Sequence, residues 1–241
     1  MMRTPIILTA TILSAGSAAA QWPEPLNTAL TKSASGPSYV FDVERTSTRE
    51  GEDPETLKGY ARVDLSAPEF KQITPAHLID PDLPGSSFSA LSGIEAALED
   101  GLWCTRFAED VPTDPEDIEI LRENETSVTY GFKPVIPEDA EGPEKKIIRR
   151  TNAEITISKT DPAVLNYSRS LSKTVTVFVV AKIRQADSAV TCARAPDGRT
   201  YAQVVASEFE ASGLGSGGNS SEMRITALYD PDSGEQLTPE S

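Results

Sequence analysis

Residues 175–183 read VTVFVVAKI and form the most strand-like stretch of the chain. Successive side chains of a strand point to opposite faces, and one face here carries Val175, Val177, Val179, Ala181 and Ile183. The other face is also apolar at first, with Phe178 and Val180, which is typical of a strand covered on both sides. We therefore predict one continuous strand over residues 175–183, near the centre of a sheet.

The same two-residue alternation recurs on both sides of this stretch. It is clearest in residues 39–43, 61–65, 128–132, 153–157 and 223–229. Turns rather than crossover helices join most of these segments, which favours antiparallel pairing. A large antiparallel sheet with one apolar face curls, so we expect an open half-barrel whose concave side needs a cover.

One amphipathic helix is predicted over residues 89–100. Its apolar stripe consists of Leu91, Ile94 and Leu98. The helix begins either at Ser89 or at Ser92, which would form a capping box with Glu95, and Gly101 is a typical stop. A helix of about three turns is marginal alone, so it must pack on the sheet. The predicted fold class is α+β, mostly β: a large curved antiparallel sheet (half-barrel) with one helix of about three turns packed on its concave face.

Two segments after the helix are harder to interpret. Residues 102–107, which include Trp103 and Cys104, are interpreted as a strand. Within the acidic residues 111–125, a short helix could run from Asp114 through Leu121, or the alternation of Ile118 with Ile120 could mark a strand. Both interpretations of this second segment stay open.

The N-terminus has the pattern of a secretory signal peptide. Arg3 precedes an apolar run over residues 6–13, and a run of small residues leads to Ala18 and Ala20. We predict cleavage after Ala20 and an exported protein, periplasmic or secreted. Gln21 rather than a lipid-accepting cysteine stands directly after the cleavage site, and no later segment approaches the ~18 apolar residues of a spanning helix, so we expect no membrane anchor in the mature chain.

The predicted organisation has four parts. They are a signal peptide at 1–20, a flexible lead-in at 21–37, a single β-rich domain at 38–231 and a loose tail at 232–241. The chain has two cysteines, Cys104 and Cys192. Because an even pair in an oxidising compartment usually forms a disulfide, we predict that these two are bonded.

The chain is strongly acidic, with a formal net charge of −15. This charge argues against non-specific binding to nucleic acid, where Lys and Arg must replace counterions on phosphate. It also argues against adhesion to anionic lipid headgroups. Self-repulsion of this size favours a soluble chain.

No motif indicates catalysis or a metal site. His77 is the only histidine, no Gly-x-Ser-x-Gly motif exists, and two cysteines with one histidine cannot supply a usual zinc site. No spacing among the 37 acidic residues marks a glycosidase pair. Asp230 to Gly234 begins like a calcium loop without its later ligands, and the glycine-rich residues 213–219 open no helix. We predict no catalytic residue, no metal and no cofactor, and we expect no enzyme.

The C-terminal half has a recognisable order of motifs. The Val-rich stretch ends in Ala181-Lys-Ile183, a cysteine-containing strand follows, and then come APDGR over 195–199, SGLG over 212–215 and a last strand ending in Tyr229. This order resembles exported proteins of alphaproteobacterial type that have no assigned activity. The layout over residues 39–229 also resembles the half-barrel of periplasmic lipoprotein carriers of the LolA/LolB type, although the acidic insertions depart from it. This second resemblance implies an apolar ligand.

Two functions compete at this point. The first is to bind or carry an apolar ligand, a lipid or an acyl chain, in the cell envelope. Its candidate binding face consists of Leu91, Ile94, Leu98, Val177 and Val179. The alternative is an envelope interaction or structural module that meets another protein through sheet edges or acidic loops and binds no small ligand.

Overall fold

A single antiparallel sheet contains all the described strands. A computed structural model describes residues 22–32, 35–50, 54–68, 71–82, 85–86, 88–99, 101–178, 181–213 and 217–238. The strands are β1 (Val40–Arg49), β2 (Glu55–Asp64), β3 (Ile73–Pro75), β4 (Ile118–Glu123), β5 (Ser127–Phe132), β6 (Thr151–Ser158), β7 (Val164–Leu171), β8 (Val175–Phe178), β9 (Ala181–Arg194), β10 (Thr200–Ser212), β11 (Gly217–Tyr229) and β12 (Gln236–Leu237). The α-helices are α1 (Leu26–Thr31), α2 (Phe88–Glu99) and α3 (Gly142–Ile148), and 3-10 helices span Ala76–Leu78, Cys104–Asp110 and Pro115–Asp117. Among the described helices, none combines the length and the apolar character that crossing a bilayer requires.

The strand order explains how one face of the sheet becomes covered. It runs β3-β2-β1-β11-β10-β9-β7-β6-β5-β4, with β12 beside β11 and β8 beside β9. Strands β3 and β4 follow each other in sequence but lie at opposite edges, so the chain between them must cross a face of the sheet. That crossing segment, residues 76–117, carries α2 and the 3-10 helix Cys104–Asp110. The predicted fold class is confirmed, because the sheet is open, curved and antiparallel and α2 packs on its concave face.

The two faces of the sheet differ in polarity as the alternation predicts. On β1, Phe41 and Val43 point inward and are buried, while Asp42 between them points outward. The Asp42 carboxylate accepts two hydrogen bonds from Arg62, at 2.7 and 2.9 Å, and one from the Tyr229 hydroxyl at 2.7 Å. The outer face therefore satisfies its own charges and leaves the inner face to bury apolar side chains.

Two apolar clusters fill part of the concave face. The first lies under α1 and the 3-10 helix Cys104–Asp110 and includes Leu26, Phe107, Tyr130, Ile155 and Tyr167. The second lies under α2 and includes Phe41, Val63, Ile94, Tyr201 and Ile225. Val205 on β10 packs against both clusters. Burying each large apolar side chain stabilises the fold by about 1.5–3 kcal/mol.

The predicted helix is confirmed, and its beginning is corrected. Helix α2 starts at Phe88, so Ser92 and Glu95 both lie inside it and the capping-box start is wrong. Gly101 follows the helix with a φ of 86°, and its N–H donates to the carbonyl of Leu98 at 2.8 Å. This left-handed conformation suits glycine, so the helix stop was placed correctly.

The prediction of one central strand over 175–183 is wrong. Residues 175–178 form β8 and residues from 181 onward form β9, and the two pair antiparallel with Val175 opposite Ile183 and Phe178 opposite Ala181. Each arm keeps its alternation, and a pattern of alternation alone does not reveal a tight reversal between two apolar arms. Among the described strands, β8 pairs with β9 alone, so it lies off the main path of the sheet.

Residues 102–123 contradict two predictions and confirm a third. The segment 102–107, predicted as a strand, is mostly the 3-10 helix Cys104–Asp110, and Trp103 alone forms a bridge, to Tyr201. Its apolar residues pack against both α1 and the sheet, which a flat strand there would not allow. After it, a 3-10 turn over Pro115–Asp117 leads directly into β4. The strand interpretation of Ile118 and Ile120 is therefore correct, and the helix through Leu121 is wrong, because the helical turn ends at Asp117.

The predicted lead-in and tail are corrected where they are described. Helix α1 lies inside the supposed flexible residues 21–37, and it buries Leu26 and Leu30 completely in the first cluster. Burial of these side chains offsets the entropy that is lost when the segment becomes ordered. The prolines of the segment had suggested a flexible chain instead. In the supposed loose tail, β12 pairs with β11 and Leu237 packs against the second cluster. The signal peptide, at residues 1–20, lies outside the described residues.

The predicted disulfide is confirmed. Cys104 and Cys192 are bonded, with their Cα atoms 6.5 Å apart and a sequence separation of 88. Cys104 begins the 3-10 helix and Cys192 lies in β9. The bond therefore fastens the crossing segment to the middle of the sheet.

Candidate ligand groove on the concave face

An open groove runs along the concave face where the two clusters end. Its inner section has a volume of about 460 Å³ and lies between α2, the 3-10 helix and the sheet. Its floor is apolar where it meets the clusters, with Val190, Val205 and Met223 in one cross-strand row. Its ceiling is formed by Phe107 and by small residues of α2.

The groove continues into an outer section of about 450 Å³. Helix α3 contributes Ile147 and Ile148 to this section, and the sheet contributes Phe209. Val135 lines it as well, in the loop after β5. Val135 and Phe209 are unusually exposed for large apolar side chains, at 42% and 38%. The outer section thus presents apolar surface that the described part of the chain leaves uncovered.

A narrow polar waist joins the two sections. We define the waist as Asp110, Arg169, Ser188 and Ser207, the residues that line both sections. The hydroxyl of Ser207 is hydrogen-bonded to that of Ser221 on the next strand, at 2.9 Å. Small hydroxyl side chains replace the large apolar residues of the neighbouring row, so the sheet is not filled at this point.

The charged part of the waist is internally paired. Tyr167 donates its hydroxyl proton to Asp110 at 2.5 Å, and Arg169 donates to both the Tyr167 hydroxyl, at 2.8 Å, and the Asp110 carboxylate. Burial, and then the charge of Asp110, raise the pKa of Tyr167 above its usual value, so it stays protonated. Burial alone would lower the pKa of Arg169, but the Asp110 hydrogen bond raises it overall. The waist therefore needs no ligand to satisfy these three groups.

The sequence shapes the groove through the small residues on one side of α2. Gly93, Ala96 and Ala97 line the inner section. Gly93 and Ala96 lie on a different side of the helix from the apolar stripe, so α2 has one face for the core and one for the groove, and Ala97 lies at the border of the two because it also packs against the second cluster. Helix periodicity pointed only to the first of these faces, because alanine and glycine carry no amphipathic signal.

The predicted binding residues do not come together in the structure. Ile94 is completely buried in the second cluster, and Leu91 and Leu98 pack beside it. Helix α2 contacts β1 and β2, whereas half-buried Val177 lies in β8, which contacts α3. Val179 lies outside the described residues. Contact of any of these side chains with a ligand stays a prediction, and the groove beside α2 is a different surface.

The acidic turns at 80–82 and 230–233 have local hydrogen-bond partners. Asp80 accepts a hydrogen bond from the N–H of Asp82, and Asp230 accepts from the N–H groups of Asp232 and Ser233, which lowers the pKa of Asp230. These are aspartate turns. His77 lies in the 3-10 helix after β3, away from the groove lining. Within the described ranges, no cluster of three or more His, Cys, Asp or Glu residues could hold a metal ion.

Comparison with known proteins gives weak similarities only. No protein-family model and no curated protein matches the chain. Among solved structures, the chain is similar to an outer membrane lipoprotein-sorting protein domain from Vibrio parahaemolyticus, with 9% identity over 83% of this chain and 87% of that one and a TM-score of 0.32. It is also similar to a LolA superfamily protein from Nitrosomonas europaea, with 8% identity over 84% and 90% of the two chains and a TM-score of 0.30. At these scores the similarity carries no argument about function, and the resemblance to exported alphaproteobacterial proteins stays a prediction.

Proposed function

We propose that the protein binds or carries an apolar ligand, a lipid or an acyl chain, in the groove of its concave face. The observation that carries this proposal is the pair of adjoining sections, of about 460 and 450 Å³, with exposed Val135 and Phe209 at the outer one. Sections of this size fall in the range of small-molecule sites. Exposed apolar surface inside a concavity marks a binding site more often than a defect.

The groove has a rigid frame, which suits a binding site. The Cys104–Cys192 bond holds the ceiling to the floor, and the core face of α2 fixes its other face over the inner section. We therefore infer that Leu91, Ile94 and Leu98 position the groove wall. A preformed groove saves a ligand the cost of ordering its site.

The proposal includes export. The signal-like residues 1–20 support an envelope or secreted location, where lipids and acyl chains need a soluble carrier to cross water. The mature chain would then begin at Gln21 and carry a net charge of −16, since Arg3 is the one charged residue removed. The intact mass of the exported protein checks this, and retention of residues 1–20 would contradict it.

Uptake of Nile red, an uncharged apolar dye, tests the binding function. Wild-type protein should take up the dye with a rise in its fluorescence. A phenylalanine in place of Ser207 should abolish uptake, because Ser207 lines both sections at the waist. Ala206→Phe is the matched control, since Ala206 directly precedes Ser207 on β10 and points to the outer face.

Three outcomes are decisive for this test. Loss of uptake in Ser207→Phe with full uptake in Ala206→Phe supports the proposal. No uptake by the wild type, or equal uptake by both variants, contradicts binding in the groove. Native mass spectrometry of protein purified from its own compartment complements the dye, because a co-purifying lipid would identify the ligand directly.

The alternative function, a protein-interaction module, has one specific observation in its favour. Strand β4 is an edge of the sheet, and its Ile120 and Leu121 are 55% and 41% exposed. An edge strand with exposed apolar residues can accept a strand from another protein. A photo-crosslinking residue at position 120 in cells of the source organism tests this. One discrete covalent adduct there, absent with the same residue at Glu119, would favour the alternative.

A further inference from the structure

One cation in the inner section of the groove, Arg45, differs from the arginines that form ion pairs. Arg45 lies on the inward face of β1, between Gly59 on β2 and Met223 on β11 in the cross-strand register. Its guanidinium lies directly beneath Gly93 of α2, where a Cβ would overlap it. A glycine inside a helix costs about 1 kcal/mol of stability relative to alanine. Gly93 therefore makes α2 less stable, but it leaves room for the side chain of Arg45.

The Arg45 guanidinium lacks an opposing charge. Among the described residues, it has neither an ion-pair partner nor a hydrogen bond, whereas Arg62 and Arg169 each pair with an aspartate. Burial lowers the pKa of Arg45, and no nearby carboxylate counters this effect. Arginine stays protonated even so. A partly desolvated cation without a partner is costly, unless an anion binds beside it.

The lining of the inner section is cationic within an acidic protein. It contains Arg45, Arg106 and Arg169 against Glu109 and Asp110. Arg169 and Asp110 neutralise each other, and Glu109 is exposed to solvent. Arg45 is left as a positive charge that no carboxylate of the described residues pairs, although the whole chain carries −15. This local reversal of sign favours an anion over an uncharged or cationic group.

The surroundings of Arg45 suit an anionic group attached to an apolar body. Phe107, Val190 and Met223 lie in the same section, so a free inorganic anion would leave apolar surface uncovered. A row of hydroxyls lies two residues further along the strands, at a distance of roughly 7 Å, and consists of Ser188, Ser207 and Ser221. These hydroxyls offer further hydrogen-bond donors. Met223 separates Arg45 from Val205 in the same cross-strand row, and from Val205 to Phe209 in the outer section is roughly 13 Å along β10.

We propose that Arg45 binds the anionic oxygens of an amphiphile, a carboxylate or a phosphate, whose alkyl chain extends through the waist toward Phe209. This inference rests on the proposed function, because it names the chemical class of the ligand for the same groove. Guanidinium and oxyanion would form charge-assisted hydrogen bonds, which are among the strongest that proteins make. The apolar chain then covers the side chains that the described part of the chain leaves exposed.

Displacement of Nile red by four ligands of equal chain length tests the inference. They are dodecanoate, dodecyl phosphate, dodecanol and dodecyltrimethylammonium. Wild-type protein should bind at least one of the two anions about ten-fold or more tightly than dodecanol, the effect expected of a charge-assisted hydrogen bond. The cation should bind most weakly. A larger gain for carboxylate or for phosphate assigns the headgroup.

The matched variants are Arg45→Met and Arg224→Met. Arg224 lies on neighbouring β11, points outward and pairs with Glu222, so its replacement removes the same charge outside the groove. Arg45→Met should lose the preference for anions while keeping Nile red and dodecanol, and Arg224→Met should keep it. Arg45→Lys, which retains the charge, should keep part of it.

The outcomes separate this inference from the proposed function. If wild-type protein binds Nile red but binds dodecanol as tightly as both anions, the inference fails and the apolar site stands. If wild-type protein binds neither the dye nor any alkyl ligand, the proposed function itself fails. The wild-type comparison needs no variant, so it decides the question even if Arg45→Met does not fold.

Discussion

Removal of the Cys104–Cys192 disulfide should destabilise the protein by about 4–5 kcal/mol. The bond joins residues 88 apart, and the chain-entropy expression gives about 4.6 kcal/mol for a closed loop of that length. A natural domain is stable by only about 5–15 kcal/mol in total, so the loss is a third or more. The assay is urea denaturation of the double variant Cys104→Ala and Cys192→Ala, followed by tryptophan fluorescence. The midpoint should fall and the denaturant slope should rise, because the unfolded chain is less compact without the bond and exposes more surface.

Denaturation of wild-type protein in reductant separates two contributions to stability, that of the covalent bond and that of the packing of its sulfur atoms. Cys104 is completely buried, so the alanine variant also loses some packing, whereas the reduced protein loses the covalent link alone. Both should become less stable, the variant by slightly more. A wild-type midpoint that does not change on full reduction would refute the reasoning, because the crossing segment would then need no covalent tie to the sheet.

Three further changes test other parts of the structure. Leu26→Ala removes a completely buried side chain from α1 and should cost about 2–5 kcal/mol in urea denaturation; a loss below about 1 kcal/mol would mean that α1 is not part of the core. Gly59→Ala would place a Cβ 2.6 Å from that of Ala90 in α2, so thermal unfolding should show a loss of about 1–3 kcal/mol, and an unchanged melting temperature would contradict this close approach. Tyr167→Phe removes the hydroxyl that donates to Asp110 and should cost about 1–3 kcal/mol at neutral pH, whereas an unchanged urea midpoint would argue against the paired waist.

Sequence patterns predicted the sheet well because each strand buries one face only. The alternation around Phe41 on β1 and around Ile155 on β6 reflects burial that the structure shows. The same reasoning failed over 175–183, where both arms of a hairpin have the same alternation. Alternation reports which residues face together within one strand, but it does not report where a chain of apolar residues reverses.

Helices were harder to predict where tertiary contacts rather than periodicity stabilise them. Helix α1 has six residues, and α3 begins with Gly142 and Pro143 in a charged segment. Helices this short are not stable alone, so their existence depends on the surface that they cover. The burial of Leu26 could be inferred only with the sheet in view. Helix α2, with 12 residues and a clear apolar stripe, was predictable from its own sequence.

The groove itself follows from a mismatch of lengths that no local pattern contains. Strands β9, β10 and β11 have 14, 13 and 13 residues, so each extends roughly 43–46 Å. Helix α2 has 12 residues and is roughly 18 Å long, and the seven residues of the 3-10 helix Cys104–Asp110 add roughly 14 Å. These two helices of the crossing segment are therefore too short to cover the three strands from end to end. The uncovered part of the sheet begins at the serine row and ends in exposed Phe209. Along one face of β10, buried apolar residues are therefore followed by a hydroxyl residue and then by an exposed apolar residue. This change of side-chain type along the strand marks the groove.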